Sequence, residues 1–321
     1  MSILITGCAG FIGFNLCDYL LSKNFTVTGI DNYFSGSKEN TKILKKKYKQ
    51  NFKFFKVDIR TEEIAKYLKG IHTVINLAGQ VSVQKSIENP METDSINSQG
   101  FINLVNHSYS NDVKNFIYAS SCAVYGDCKK LPLNEMLELE PLSPYAASKI
   151  SNENYASTFS ALHKQISFIG LRFFNVVGPF QSIDSDYGAV IPNWIRLFLN
   201  NTQPIIYGNG LATRDFVDVL DISKIIEKII KNRKFYKNEI FNIGSGNKKK
   251  IKDLYEVIQK IMKKKKVDYS FNAPLYQKKR DGDIKDSYSN IKKLKKEFKY
   301  ENFLDIEESI SRILESQYLI K

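Results

Sequence analysis

Tyr145-Ala146-Ala147-Ser148-Lys149 puts a phenol and an amine four residues apart, one above the other on a predicted helix face. A free tyrosine has a pKa near 10, so only about a thousandth of it is phenolate at neutral pH. A lysine one turn along can hold positive charge beside the ring, and a bound nicotinamide cation would add to it. Lowering the pKa by about three corresponds to roughly 4 kcal/mol of differential stabilisation. Such a tyrosine can take a proton from a sugar hydroxyl while hydride leaves the same carbon. Upstream, Ser120-Ser121-Cys122 ends a β-rich run, and Ser121 offers a partner hydroxyl. The chain opens with Thr6-Gly7-Cys8-Ala9-Gly10-Phe11-Ile12-Gly13. Base, partner hydroxyl and glycine loop together indicate redox chemistry on an alcohol.

The glycine loop follows an apolar strand and opens a predicted helix over Phe11 to Leu21, where unpaired N–H groups and the helix dipole can receive a pyrophosphate. Its spacing is GxxGxxG, and tight strand-to-helix turns need glycine in any case. Context therefore carries the reading. Asp31-Asn32 ends the second strand, where a carboxylate can bond ribose hydroxyls and repel a 2′-phosphate, which favours NAD over NADP. Asp58-Ile59 ends the third strand, near the expected adenine. Leu77-Ala78-Gly79 ends the fourth, near the middle of the cofactor.

These motifs need a frame that brings strand ends together. Short β-rich runs alternate with amphipathic stretches over the first half, the pattern of a parallel sheet with crossover helices. The expected strands are Ser2 to Thr6, Thr26 to Ile30, Phe52 to Val57, Thr73 to Leu77, Asn115 to Ser120 and Ile166 to Arg172, with Glu239 to Ile243 rejoining the sheet. Parallel βαβ units cross over with one hand and bind ligands at the carboxyl ends of their strands, so the motifs converge on one crevice. After Phe173 the alternation gives way to loop signals, and Lys252 to Met262 and Ile306 to Leu314 read as polar-faced helices. The expected fold is α/β, a Rossmann-type doubly wound parallel sheet with a smaller discontinuous C-terminal substrate domain. The NAD-binding part covers residues 1–175 plus about 215–245, and the substrate part about 176–214 plus 246–321.

With 321 residues the chain can bury a substantial core. Its formal charge of +13 raises nucleic acid binding, but the lysines fall in scattered runs on expected solvent faces with few arginines, the pattern of a solvated surface. Cys8, Cys17, Cys122 and Cys128 form neither a CxxC pair nor a disulfide framework. His72, His107 and His163 stand isolated, so no metal site is expected. No secretory leader or membrane-length apolar run is read, and a reduced cytoplasmic location is expected.

The glycine loop, Asp31, Asp58, Ser121, Tyr145 and Lys149, in this order, resemble the extended short-chain dehydrogenase/reductase family, and within it the nucleotide-sugar 4-epimerases. The likeness extends to Phe173-Phe174-Asn175-Val176-Val177-Gly178-Pro179, Thr213-Arg214-Asp215-Phe216 and Arg280-Asp281-Gly282-Asp283. It implies NAD as cofactor, a UDP-sugar as substrate, and a homodimer through paired helices that include Tyr145 to Leu162. It also implies Tyr145 as base, Lys149 on the nicotinamide ribose, and Ser121 on the reacting hydroxyl. Asn175, Arg214, Arg280 and Asp283 match positions that hold the nucleotide diphosphate and its ribose, a task for which the arginine fork is apt.

Departures from the pattern narrow the reaction. Family dehydratases and decarboxylases carry acidic or hydroxyl-acid residues just after the catalytic hydroxyl; here that slot is Cys122-Ala123, which disfavours elimination. No histidine base stands beside Cys122 in sequence, so packing is its expected role. Asp218 occupies a place where relatives have an aromatic residue or histidine, and Asn76 and Gly79 replace histidine and alanine; these three bear on the nicotinamide pocket. Ser287 matches the family's hexose-pocket gate, where a small side chain leaves room for an N-acetyl group; a shift of one position would put Tyr288 there instead. Gln181 and Gly188-Ala189-Val190-Ile191-Pro192-Asn193-Trp194 also resemble the N-acetylhexosamine subgroup. The resemblance thus implies 4-epimerisation of a UDP-N-acetylhexosamine, with UDP-glucose and UDP-glucuronate as alternative substrates. A non-catalytic dinucleotide sensor is a third class, and such members lack the Tyr/Lys pair.

Overall fold

The computed structural model describes residues 2–181, 189–232, 234–279 and 284–317. In chain order its strands are β1 (Ser2–Thr6), β2 (Thr26–Asp31), β3 (Phe52–Lys56), β4 (Thr73–Asn76), β5 (Asn115–Ser121), β6 (Ser167–Phe173), β7 (Asn175–Val177), β8 (Ile205–Tyr207), β9 (Thr213–Asp218), β10 (Asn238–Ile243), β11 (Lys248–Lys250), β12 (Leu275–Gln277) and β13 (Asp286–Ser287). Seven of them form one parallel sheet in the order β3-β2-β1-β4-β5-β6-β10. This is the doubly wound Rossmann-type sheet the alternation predicts. The strand order reverses between β1 and β4, and there the carboxyl ends leave a crevice.

Both faces of the sheet are covered, so its central strands are buried along most of their length; every residue of β6 is buried, Arg172 included. Ile3, Ile5, Leu16, Leu20, Ile225, Ile229 and Phe241 belong to the layer on one side, and Leu4, Val74, Phe101, Leu104, Phe116 and Phe168 to the layer on the other. A separate apolar cluster joins Trp194, Ile195 and Phe198 of helix Val190–Leu199 to Leu254 and Ile258 of helix Ile251–Lys264 and Ile310 and Ile313 of helix Ile306–Gln317. Leu294, Phe298 and Tyr300 pack instead in the first sheet layer.

Two further features matter for the crevice. A second sheet sets β11, β9 and β13 side by side, with β7 also paired to β9. Helix Pro144–Leu162 starts sharply: Ser143 Oγ accepts from Ala146 N at 3.1 Å, and Pro144 occupies the first turn. Such a cap is worth about 1 kcal/mol and fixes where Tyr145 enters the helix. Among the described residues no helix is long and apolar enough to cross a membrane, and no cluster of His, Cys, Asp and Glu has a metal-binding arrangement.

Candidate active site

The crevice is a cavity of about 530 Å³ running from the glycine loop past the end of β5 to β9. At its first end Gly7 sits at φ +71°, and a Cβ there would come within 2.7 Å of Ala78 N. A Cβ on Gly13 would stand 2.1 Å from Gly7 O. Only bare glycine backbone lets the turn close onto helix Phe11–Ser22, whose first residues line the cavity. Gly7, Gly10, Phe11, Ile12 and Gly13 line this end.

Asp31 and Asn32 line the cavity beside the loop. Asp31 Oδ2 accepts from Ala9 N at 3.0 Å and Oδ1 from Tyr33 N at 2.7 Å, so the carboxylate also braces the loop. Burial raises its pKa, and the two backbone N–H groups act against that rise. Asp58 and Ile59 lie next to them. Arg60, which the sequence reading did not single out, grips Asp58 through Nε at 3.0 Å and Nη2 at 2.7 Å, and holds its pKa below the usual carboxylate range. Asn32 Nδ2 donates to the same carboxylate at 3.0 Å. Leu77, Ala78 and Gly79 form the middle of the wall. A glycine cradle with no room for a Cβ, a helix N-terminus and a buried carboxylate at the end of β2 are together the features a dinucleotide requires.

Ser121, Tyr145 and Lys149 converge on the middle of the cavity. Ser121 ends β5, and its hydroxyl is near enough to the Tyr145 phenol to act on its pKa. Lys149 Nζ lies 5.7 Å from the centroid of the Tyr145 ring and donates to Ala119 O at 3.2 Å. Burial pushes the Tyr145 phenol up to about 12, with the Ser121 hydroxyl pulling the other way. Burial also brings the Lys149 ammonium down to about 8. The chain's own groups thus leave Tyr145 protonated at neutral pH.

Asn97 supports this trio and was not legible in the sequence. It sits in a π-helical turn, Ser95–Gln99. Its Nδ2 donates to Gln80 O and to Ser148 Oγ, each at 2.9 Å, and its Oδ1 accepts from Gln80 N at 2.8 Å. Ser148 Oγ in turn donates to Tyr145 O at 2.8 Å. A Cβ on Gly79 would lie 3.0 Å from Asn97 Oδ1 and 3.5 Å from Lys149 Nζ, so glycine there leaves extra space beside the ammonium.

Toward the second sheet the wall contains Asn175, Gln181, Val190 and Arg214. Asn175 Nδ2 donates to Asp215 O at 3.0 Å, and Gln181 Nε2 to Val176 O at 3.1 Å. Asp215, fully buried, accepts from Ser245 N at 2.8 Å, Gly246 N at 3.1 Å and Ser289 N at 3.0 Å, which fixes the loops around Arg214. Ser287 pairs with Arg214 across β13 and β9 and is 8% exposed. Neither Ser287 nor Cys122 forms part of the cavity wall. Burial pushes the Cys122 thiol up to about 12, which suits packing rather than nucleophilic attack. Asp218 also lies off the wall: it caps helix Val219–Lys231 by accepting from Leu220 N at 2.7 Å, and pairs with Arg312 at 2.6 Å. Arg280, Asp283 and Gly188 lie outside the described residues.

Known proteins with this arrangement share the whole chain. Its similarity to a UDP-N-acetylglucosamine 4-epimerase from Methanobrevibacter ruminantium M1, solved in complex with UDP-N-acetylmuramic acid, is 34% identity at a TM-score of 0.89, covering 98% of this chain and 97% of that one. A UDP-glucose 4-epimerase from Thermotoga maritima, solved with UDP-glucose, is 29% identical at a TM-score of 0.88, with 98% of each chain covered. A UDP-glucuronate 4-epimerase of Thermodesulfobacterium geofontis is 31% identical over 320 residues, 96% of this chain and 94% of that protein. The model of the NAD dependent epimerase/dehydratase family matches residues 3–244, the stretch that holds the glycine loop, Ser121, Tyr145, Lys149 and Arg214. The chain is therefore an NAD-dependent enzyme and belongs to that epimerase/dehydratase family.

Proposed function

We propose that this enzyme is a nucleotide-sugar 4-epimerase that interconverts UDP-N-acetylglucosamine and UDP-N-acetylgalactosamine through a transient 4-keto sugar. The observation that carries the reaction type is the meeting of Ser121, Tyr145 and Lys149 in one cavity with the glycine cradle. Gly7, Gly10 and Gly13 would hold the NAD pyrophosphate, Asp31 the adenosine ribose, and Lys149 the nicotinamide ribose. When bound, NAD would supply a reversible hydride acceptor and positive charge near the phenol. That charge acts in the direction opposite to burial, so it favours the phenolate that Tyr145 needs as a base.

Tyr145 takes the proton of the 4″-hydroxyl as C4″ becomes a ketone, and Ser121 orients that hydroxyl. The keto sugar must then present its other face. Rotation about the diphosphate does this while Arg214 and Asn175, with Arg280 and Asp283, keep the nucleotide end anchored. Tyr145 afterwards returns its proton to the new hydroxyl. Cys122-Ala123 provides no acid for a leaving group, which favours epimerisation over elimination.

The N-acetylated sugar is favoured by small Ser287 beside Arg214, and by Gln181 and Val190 on the wall. We assign the sheet and its two covering layers to cofactor binding and the Trp194–Ile313 cluster to the substrate, with residues 291–303 packed on the sheet side. A homodimer through helix Pro144–Leu162 is favoured by exposed Leu142, Tyr155 and Leu162 and by nearby Ile87 and Met91. Incubating the purified enzyme with UDP-N-acetylglucosamine, UDP-glucose and UDP-glucuronate, without added cofactor, and reading products by NMR tests the assignment. Conversion of UDP-glucuronate alone would reject it.

A further inference from the structure

We infer that Glu153 and Arg172 are positioning residues that set Ser121 against Tyr145. The inference rests on the proton-transfer reading of those two residues. Glu153 lies one turn beyond Lys149 on helix Pro144–Leu162 and is 7% exposed; Arg172, in the fully buried β6, is 4% exposed. Their contact is a two-pronged ion pair, with Arg172 Nε to Glu153 Oε1 at 2.9 Å and Nη2 to Oε2 at 2.7 Å. Ser120 Oγ donates to the same Oε1 at 2.6 Å. One carboxylate therefore ties together the helix that carries Tyr145, the strand end that carries Ser121, and the neighbouring strand.

The pair is also fully partnered on its far side. Arg172 Nη1 donates to Tyr125 Oη at 2.9 Å, and the guanidinium stands 4.9 Å from the centroid of that ring. Tyr125 Oη donates to Asn242 Oδ1 at 2.6 Å, and Asn242 Nδ2 to Leu133 O at 2.9 Å. Leu133 bonds the sugar-side segment, its N–H donating to Tyr288 O at 2.9 Å and its carbonyl accepting from Asn290 N at 2.7 Å. A buried ion pair brings little stability beyond a well-packed apolar pair, because desolvation offsets the attraction. What this one does provide is direction. Ser120 and Ser121 are consecutive on one strand end, so holding the Ser120 side chain fixes the backbone rotation that aims Ser121.

The test compares Ser120→Ala, which removes only the tether, Glu153→Gln, which keeps its shape but not its charge, and Tyr145→Phe, all purified with their own cofactor. Loss of aim should lower kcat roughly tenfold to a hundredfold in Ser120→Ala and Glu153→Gln, with KM within about twofold. The groups facing the phenol are Ser121, Cys122 and Lys149. Moving the Ser121 hydroxyl off the phenol leaves burial less opposed, so the acid limb of kcat should move to higher pH in Ser120→Ala, which changes no charge. Added to Tyr145→Phe, neither change should cost further activity. Variants that melt earlier but keep the wild-type kcat and pH profile overturn the inference, as does a drop in kcat with the limb unmoved. Should Glu153→Gln fail to fold, Ser120→Ala decides alone. A near-native Tyr145→Phe sinks the proton-transfer reading itself, a result separate from native Ser120→Ala beside inactive Tyr145→Phe, which sinks only the positioning role.

Discussion

Lys149 ties the helix of Tyr145 to the strand of Ser121: its Nζ is 5.7 Å from the centroid of the phenol ring and bonds the Ala119 carbonyl at 3.2 Å, two residues before Ser121. The two elements are thus bridged by one ammonium. Tyr145→Phe keeps the ring and deletes only the oxygen proposed to accept the proton. Turnover of a UDP-sugar should fall by about a hundredfold to ten-thousandfold, with NAD content and melting temperature close to wild type. Epimerisation assays alongside thermal melts check this, and a near-native rate would remove Tyr145 from the reaction.

The same ammonium gives a pH signature. Burial lowers Lys149 from its ordinary 10.5 to about 8, so between those values the unfolded chain binds the extra proton and the ligand-free fold becomes more stable as pH rises. Below about 8 the full cost of burying the charge is present, roughly 3 kcal/mol at most. Lys149→Met removes that cost, so its melting temperature relative to wild type should be higher at pH 7 than at pH 10. The other titrating groups are common to both proteins and cancel in the difference. A difference that does not change with pH would show that Lys149 is not buried as an ammonium.

Much of this site was legible because it sits at strand ends, where apolar runs stop at recognisable residues. Thr6-Gly7, Asp31 and Ser121 each close a short apolar strand, and the observed strands end within a residue of the expected places. Residues set by packing between distant elements were not legible. Asn97 reaches Ser148 only because a π turn points it across the helix bundle, and no spacing in the chain encodes that contact. Asp218 matched a pocket position by order in the sequence, yet its carboxylate turns to cap a helix and meet Arg312. Lys248-Lys249-Lys250 read as solvated surface, and its lysines are exposed or half-buried; the composition did not show that it forms a strand paired with β9, since a three-residue strand owes its form to its partner.

The cofactor end makes a prediction of its own. Asp31 presents a carboxylate where NADP would bring a 2′-phosphate, so denaturing the purified enzyme should release NAD and not NADP. Gly13→Ala places a methyl group 2.1 Å from Gly7 O, which the turn cannot absorb without moving backbone. The variant should lose its cofactor or fail to fold, whereas Gly70→Ala, at φ +75° but with nothing within 4 Å of the added carbon, should lose some stability and still retain NAD. Chromatography of the released nucleotide distinguishes these outcomes.

The proposed sugar choice is tested at Ser287. It lies opposite Arg214 across β13 and β9, nearly buried. A tyrosine at this place adds a ring next to Arg214, which lines the cavity. Space for an N-acetyl group should be lost while Tyr145, Ser121 and the nucleotide contacts stay as they are. Excluding a buried group costs a few kcal/mol, so Ser287→Tyr should lose roughly a hundredfold on UDP-N-acetylglucosamine and retain activity on UDP-glucose. Ser287→Ala removes the hydroxyl without adding volume and should leave the ratio of the two sugars unchanged. Equal losses on both sugars in Ser287→Tyr would indicate a damaged pocket, and no loss on either would place Ser287 away from the sugar.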